Sequence, residues 1–426
     1  MRSDVFRSIG KISAGSTVAQ AITLVVSPFL ARIYGPEAYG NLSVVTSIVS
    51  ILIVFATLRL ELAIPTAKTD DVARSLKLAG FVTVCAVSAI TMALTPVLGD
   101  EVAQRYDLSA SALWFVGPLL LSIGLFTILS ASATRAQQYS AIAWRSVTQS
   151  VATNVTQLVL SIIDKVSGLL VGAVVGRFAG VLGLYLSLRS LDSPHSSTRQ
   201  SLHLARTLRT HWRFPVFFVP SGFLNVLGSQ LPMLVVSSRF GATDAGQLAI
   251  VMQVAYVPAA LVGAAIANVY LAEMSARVRR GETDNRAGYL KATKYLLLPS
   301  AAVLALLLVA LPIVLPVVLG SSWVEVGQFS QALAISVASG FVVSPLSVVF
   351  IVYRRALLNL GLDVLRVALN GLAAIAATVT HQPAVMTVLM MAAAQAATYA
   401  LTWLCGLSVT SAVGGARHGI TPEAES

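Results

Sequence analysis

An apolar run of about twenty residues matches the hydrocarbon thickness of a bilayer, which makes it the strongest single constraint a sequence can carry. This chain repeats such a run twelve times, near residues 10–30, 42–64, 76–98, 111–130, 143–163, 168–188, 214–238, 246–272, 295–319, 329–352, 357–379 and 383–411. In hydrocarbon each backbone N–H and C=O must be satisfied within its own segment, so the runs are expected to be helices. The fold class that follows is an all-α polytopic membrane protein. Spans five and six are nearly contiguous, parted only by Asp164, Lys165 and their neighbours. Composition agrees, with 56% of residues hydrophobic and 11% charged, against about 25% charged in soluble domains.

The formal charge of +11 invites a nucleic-acid partner, but the positions of the charges exclude one. With the N-terminus placed inside and the spans alternating, 22 Lys/Arg fall in inner segments and four outside, namely Arg32, Arg105, Lys165 and Arg239. Such a bias is the positive-inside signature, here of an N-in, C-in chain. The two richest inner loops, 189–213 and 273–294, read as orientation signals that also suit anionic lipid headgroups. The basic N-terminus MRSDVFRSIGKISAG runs into span one without a small-residue cleavage site, so it reads as an inner flank and not a cleaved signal. Cys85 and Cys405 lie in apolar stretches without CxxC spacing, which points away from a disulfide scaffold or zinc site.

The two halves carry related turns. ARIYGPEAYGNLSVV spans 31–45, and SSRFGATDAGQLAIV spans 237–251. Each places an arginine before a Gly-x4-Gly unit, Arg32 with Gly35 and Gly40, then Arg239 with Gly241 and Gly246; Asn41–Leu42 and Gln247–Leu248 follow. Each links the first span of its half to the second, which is the pattern of a parallel six-plus-six repeat. The expected domains are residues 1–205 and 206–426, two six-helix bundles with substrate bound between them near mid-membrane.

LARIYGPEAYGNLSVVTSIVSIL followed by LRLELAIP resembles the N-terminal half of bacterial polysaccharide (O-antigen type) flippases of the multidrug/oligosaccharidyl-lipid/polysaccharide exporter superfamily. FPVFFVPSGFLNVLGSQLPMLVVSSRFGATDAGQLAIVMQVAYVPAALVGAAIANV resembles their seventh and eighth spans. The resemblance implies a V-shaped twelve-helix bundle in the bacterial inner membrane. It implies export of undecaprenyl-pyrophosphate-linked oligosaccharide by alternating access, coupled to an ion gradient. No cofactor is implied; the partners are the lipid-linked substrate, membrane lipids, and a polysaccharide polymerase with its chain-length machinery.

Charges inside spans are expensive and normally face a cavity or a partner. Arg177 lies within span six, in VGAVVGRFAGVLG, either facing the cavity or snorkelling or paired. Asp363 and Arg366, three apart in span eleven, share a helix face and read as a structural pair. Arg59 and Glu61, in FATLRLELAIP, fall at the inner edge of span two. On a continuing helix residues two apart point to nearly opposite faces, so each needs a partner elsewhere: water, lipid phosphate or another helix. Arg59 is placed to meet an incoming pyrophosphate, and Glu61 to restrain it or to couple a proton. Guanidinium suits that cargo because it binds phosphate oxygens through two parallel hydrogen bonds.

In span five, Gln149, Thr153 and Gln157 recur every fourth residue, widened by Ser150 and Asn154. The stripe lines a wet path or supplies interhelical hydrogen bonds. Gly168, Gly172, Gly176 and Gly180 in span six allow close helix contact. Pro28, Pro220 and Pro232 mark expected bends in spans one and seven.

The five histidines, at 195, 203, 211, 381 and 418, form no ligand spacing, and there is no GxxxxGK[ST] loop or GxSxG elbow. The sequence therefore reads as a transporter and not an enzyme. A drug antiporter of the same superfamily is the nearest rival, and would favour acidic and aromatic cavity residues. A membrane glycan polymerase or ligase would carry a large outer loop, whereas the outer loops here are short. A scaffold for polysaccharide assembly is the remaining alternative. The twelve-span map is checked by a reporter fused after Ser193, which should read cytoplasmic; a periplasmic signal would overturn the map.

Overall fold

The computed structural model describes residues 2–109, 111–163, 167–189, 212–282 and 284–411. The expected separator at Asp164 and Lys165, the histidines at 195, 203, 211 and 418, and the boundary at 205/206 lie outside the described residues. Among those described, the chain is helices and turns: α1 (Arg2–Thr57), α2 (Asp70–Tyr106), α3 (Val116–Arg135), α4 (Tyr139–Ile163), α5 (Gly168–Arg189), α6 (Arg213–Phe240) and α7 (Ala242–Arg279). There follow α8 (Arg286–Ala305), a π turn (Leu306–Ala310), α9 (Leu311–Leu319), α10 (Val326–Leu346), α11 (Val349–Val352), α12 (Ala356–Val379) and α13 (Ala384–Val409).

Nine described stretches are long and apolar enough to cross a membrane, and the first, Gly15–Thr57, is two rods joined at a break. That break, together with α4 and α7, brings the rods to twelve. Most run past their apolar cores. α2 reaches from Asp70 to Tyr106 where the sequence pattern marks 76–98, because its ends are capped electrostatically. Thr69 accepts a hydrogen bond from Val72 N at 3.4 Å, Asp70 and Asp71 occupy the first turn, and Arg105 the last.

The non-helical torsion in α1 is at Gly35 (φ 78°, ψ 173°), not at Pro28. In the second repeat Gly241 takes the same conformation (φ 92°, ψ 178°) between α6 and α7. Only glycine adopts such torsions cheaply. The repeat is therefore present at backbone level, two hundred and six residues apart.

The chain packs as two compact units. One runs through Ile250 and takes in Val318–Trp323; the other comprises Val251–Val317 and the chain from Val324 onward. In the first, α4 packs against α5 and the first part of α1, and the second part of α1 packs against α6. In the second, a core of Tyr270, Met274, Tyr289, Leu296, Phe341 and Phe350 lies where α7, α8, α10 and α11 converge. Outward-facing positions are large and apolar, Ile162 at 88% and Leu357 at 84% exposure, as suits lipid contact. Since lipid is as apolar as leucine, helix association rests on close packing and polar contacts instead of on escape from water.

Gly241→Ala should cost about 1–3 kcal/mol by forcing an alanine into a glycine-only conformation. A lowered melting temperature of the detergent-solubilised protein would report it.

Candidate functional site

α4 carries polar residues in two lines. Ser150 and Asn154 face the first part of α1: Ser150 Oγ donates to Ala19 O at 2.8 Å, Thr23 and Ser150 hydroxyls lie 3.0 Å apart, and Asn154 Nδ2 donates to Ser150 O at 2.8 Å. Gln149, Thr153 and Gln157 face α5. There the glycine ladder meets them: a Cβ on Gly172 would meet Gln157, one on Gly176 would meet Thr153, and one on Gly180 would come within 3.1 Å of Gln149 Cβ. Gln157 is buried, its Nε2 donating to Leu169 O at 2.9 Å and its carbonyl accepting from Tyr34 OH at 2.6 Å. The lower half of the stripe is thus engaged between helices.

Its upper half is charged. Arg145 extends the same four-residue series one step back, and its Nη2 donates to Gln149 Oε1. The guanidinium carbon lies 3.0 Å from the centroid of the Phe126 ring, a cation–π contact with α3. Gly180 leaves room for it, since a Cβ there would lie 3.1 Å from Arg145 Nε, and that nitrogen is buried with no hydrogen-bond partner. Arg177 on α5 lies within electrostatic range of Arg145. Among the described residues, neither arginine has a carboxylate ion-pair partner. Sequence reasoning missed Arg145, because a charge one turn inside a span is counted with the inner-loop charges. Its signal was the spacing 145, 149, 153, 157.

The geometry expected for Arg59 and Glu61 is corrected. α1 stops at Thr57, and Leu58 and Arg59 take left-handed torsions (φ 49° and 56°) before a 3-10 turn over Leu60–Leu62. The helix rule that sets them on opposite faces no longer applies. They pair with each other, Arg59 Nη1 to Glu61 Oε1 at 3.5 Å, with side chains 26% and 12% exposed. Glu61 Oε2 is buried without a hydrogen-bond partner. Arg59 lies against α6, where a Cβ on Gly222 would fall 2.6 Å from its Cζ.

Asp363 and Arg366 form an ion pair of 3.2 Å on α12 in the second unit. Asn359 Nδ2 reaches Asp363 Oδ2 at 3.4 Å, and Asn370 Nδ2 bonds Arg366 O at 2.9 Å and Gln395 Oε1 at 3.0 Å. The structure thus gathers Gln149, Thr153 and Gln157 at the α4–α5 contact, with Arg177 on α5 and Arg59–Glu61 at the end of α1. Asp363–Arg366 belongs to the other unit. Among the described residues no three His, Cys, Asp or Glu converge as metal ligands.

Residues 29–328 match the family of polysaccharide biosynthesis proteins, well over half the chain. The chain belongs to that family. No curated protein matches this polysaccharide biosynthesis protein in sequence. Its fold is shared with solved transporters. Lipid II flippase MurJ, in an inward closed conformation, is 12% identical with a TM-score of 0.71, over 94% of this chain and 87% of that one. An inward-facing multidrug resistance MATE family transporter of the MOP superfamily is 13% identical with a TM-score of 0.68, over 92% and 95%. A MOP superfamily transporter from Pyrococcus furiosus, described by a reverse polarity of its binding pocket, is 13% identical with a TM-score of 0.62, over 95% and 96%. Twelve helices in two bundles is the architecture they share with it.

The glycine ladder predicts a contrast. Gly176→Ala places a methyl within 2.8 Å of α4 backbone and should cost about 1–3 kcal/mol as overpacking. Gly183→Ala, with nothing within 4 Å of its Cβ, should be neutral or stabilising by up to about 1 kcal/mol. Thermal melts of the two variants side by side would test it.

Proposed function

We propose that this family member flips undecaprenyl-pyrophosphate-linked oligosaccharide repeat units across the bacterial inner membrane for O-antigen, capsule or exopolysaccharide synthesis. Family membership and the shared fold support a flippase or transporter of the MOP superfamily. The finer reading rests on one observation, the cations Arg145 and Arg177 on the packed helices α4 and α5, which among the described residues have no carboxylate ion-pair partner. Two like charges in a low-dielectric surrounding repel each other and lose hydration. A ligand of two or more negative charges relieves both costs, and a pyrophosphate has the oxygens to accept from both forks. Gln149, already bonded to Arg145, offers its amide to sugar hydroxyls or phosphate oxygens.

In this reading Arg59 and Glu61 stand at the inner mouth, Gln149, Thr153 and Gln157 belong to the α4 wall, and Asp363 with Arg366 is the polar feature of the second bundle. The six-helix halves, 1–205 and 206–426, alternate access with both termini inside, driven by an ion gradient. A polysaccharide polymerase and its chain-length machinery receive the product. The MATE neighbours keep a drug antiporter in view, but an arginine pair repels the cations such a carrier takes up.

A clean gene deletion, with no second flippase present, should stop surface polysaccharide while lipid-linked repeat units accumulate inside; normal surface glycan would sink the proposal. Arg177→Ala should lower export by about tenfold or more, as loss of a charge-assisted hydrogen bond does, while Arg177→Lys retains more. Equal, wild-type export from both variants would argue against a cationic site.

A further inference from the structure

The two repeat turns do not merely resemble each other; they touch. A Cβ on Gly40 would fall on the carbonyl oxygen of Ala242, and a Cβ on Gly246 would fall on the carbonyl oxygen of Pro36. Pro36 and Ala242 are equivalent in the repeat, as are Gly40 and Gly246. The contact is therefore reciprocal, the rule of a two-fold interface, here within one chain. It is made by backbone atoms, with Gly40 N 3.0 Å from the Cβ position of Gly246. At these two glycines the faces meet backbone to backbone, so they can part there without unthreading.

Two loops bracket the seam at equivalent points. After α2, the Tyr106 carbonyl accepts from Ser237 Oγ at 2.6 Å, and Asp107 Oδ2 accepts from Ala242 N at 3.1 Å. From the other side, Trp323 Nε1 donates to the carbonyl of Ala31, the repeat equivalent of Ser237, at 3.3 Å, and its ring meets Tyr39 edge-on. The brackets differ for a chemical reason. Pro36 has no N–H, so only the second copy needs an acceptor, and Asp107 supplies it. The same loop also holds the first copy, Ser109 N donating to Asn41 Oδ1 at 2.9 Å. Residues 106–109 thus staple both turns, and the Asp107 carboxylate carries the bond to the backbone N–H that opens the second.

We propose that Asp107 is the latch of this glycine seam, which in the alternating-access cycle put forward above serves as the outer gate. The gate rests on the flippase reading for its purpose and on the charge bias for its sidedness, but not for its geometry. Ser47 and Gln230 lie just beneath the seam, their side-chain oxygens 2.8 Å apart. In a chain with Cys85→Ser and Cys405→Ser, Ser47→Cys labelled by an impermeant maleimide added outside reads gate opening whatever the cargo. Adding Asp107→Ala should raise the labelling rate by about fivefold, the loss of one hydrogen bond. Asp107→Asn, which keeps an acceptor and tolerates the left-handed torsion of that residue (φ 50°), should raise it less. Unchanged labelling in Asp107→Ala overturns the latch. Cross-linking Ser47→Cys to Gln230→Cys with a short reducible reagent should abolish export, and reduction should restore it. Full export from the cross-linked protein shows a fixed joint and overturns the gate. Faster labelling in Asp107→Ala, with no export from the reduced pair, leaves the gate standing and counts against the cargo.

Discussion

The structure depends on backbone-to-backbone approach at glycine. Helices in lipid gain nothing by hiding apolar side chains from one another, so close contact has to be made by residues with almost no side chain. Two such contacts organise the first unit. The ladder of Gly172, Gly176 and Gly180 sets α5 directly on the polar line of α4, and the pair Gly40 and Gly246 sets the two repeat turns on each other. The first contact fixes where the arginines stand. The second fixes how the second repeat begins.

The α4–α5 contact also explains why a polar stripe and a cationic pair share one helix. Toward Gln157 the glycines bring α5 near enough for an amide to reach the Leu169 carbonyl, so the polar groups are consumed in packing. Toward Arg145 the same series meets Gly180 and the Phe126 ring, which accommodate a guanidinium without neutralising it. One four-residue spacing therefore yields adhesion at one end and an electrostatic demand at the other. What decides between them is the partner helix, not the stripe.

That dependence marks the limit of what the residues alone disclose. The twelve spans and the repeat are legible because hydropathy and glycine placement act locally, and Gly35 and Gly241 fall at the helix breaks their spacing implies. The helix ends are less legible, since caps such as Thr69 carry α2 past its apolar core. The Arg59–Glu61 pair is not legible in the sequence, because a helix continued through residues 58 and 59 would part the two side chains, whereas the backbone there turns left-handed. No glycine or proline marks that turn; Leu58 and Arg59 occupy it themselves. Arg145 was passed over because a charge near a span end looks like a loop charge until its neighbours in space are known. The reciprocal contact at Gly40 and Gly246 is likewise invisible in one dimension, although its participants were already paired by sequence.

The asymmetry within the repeat is the more informative feature. Two equal copies would need equal brackets, yet one turn begins with proline and the other with alanine. Proline closes the first turn without an N–H to satisfy, while alanine leaves a donor that a buried contact must answer. Asp107 answers it from a loop that also holds Asn41. A repeat that stayed symmetric at this point, with proline in both turns, would have no N–H here for Asp107 to hold. Substituting one residue for proline's counterpart ties the seam to a carboxylate on the α2–α3 loop. That bond breaks and reforms at far lower cost than a packed core, so a contact made of backbone surfaces acquires a controllable element.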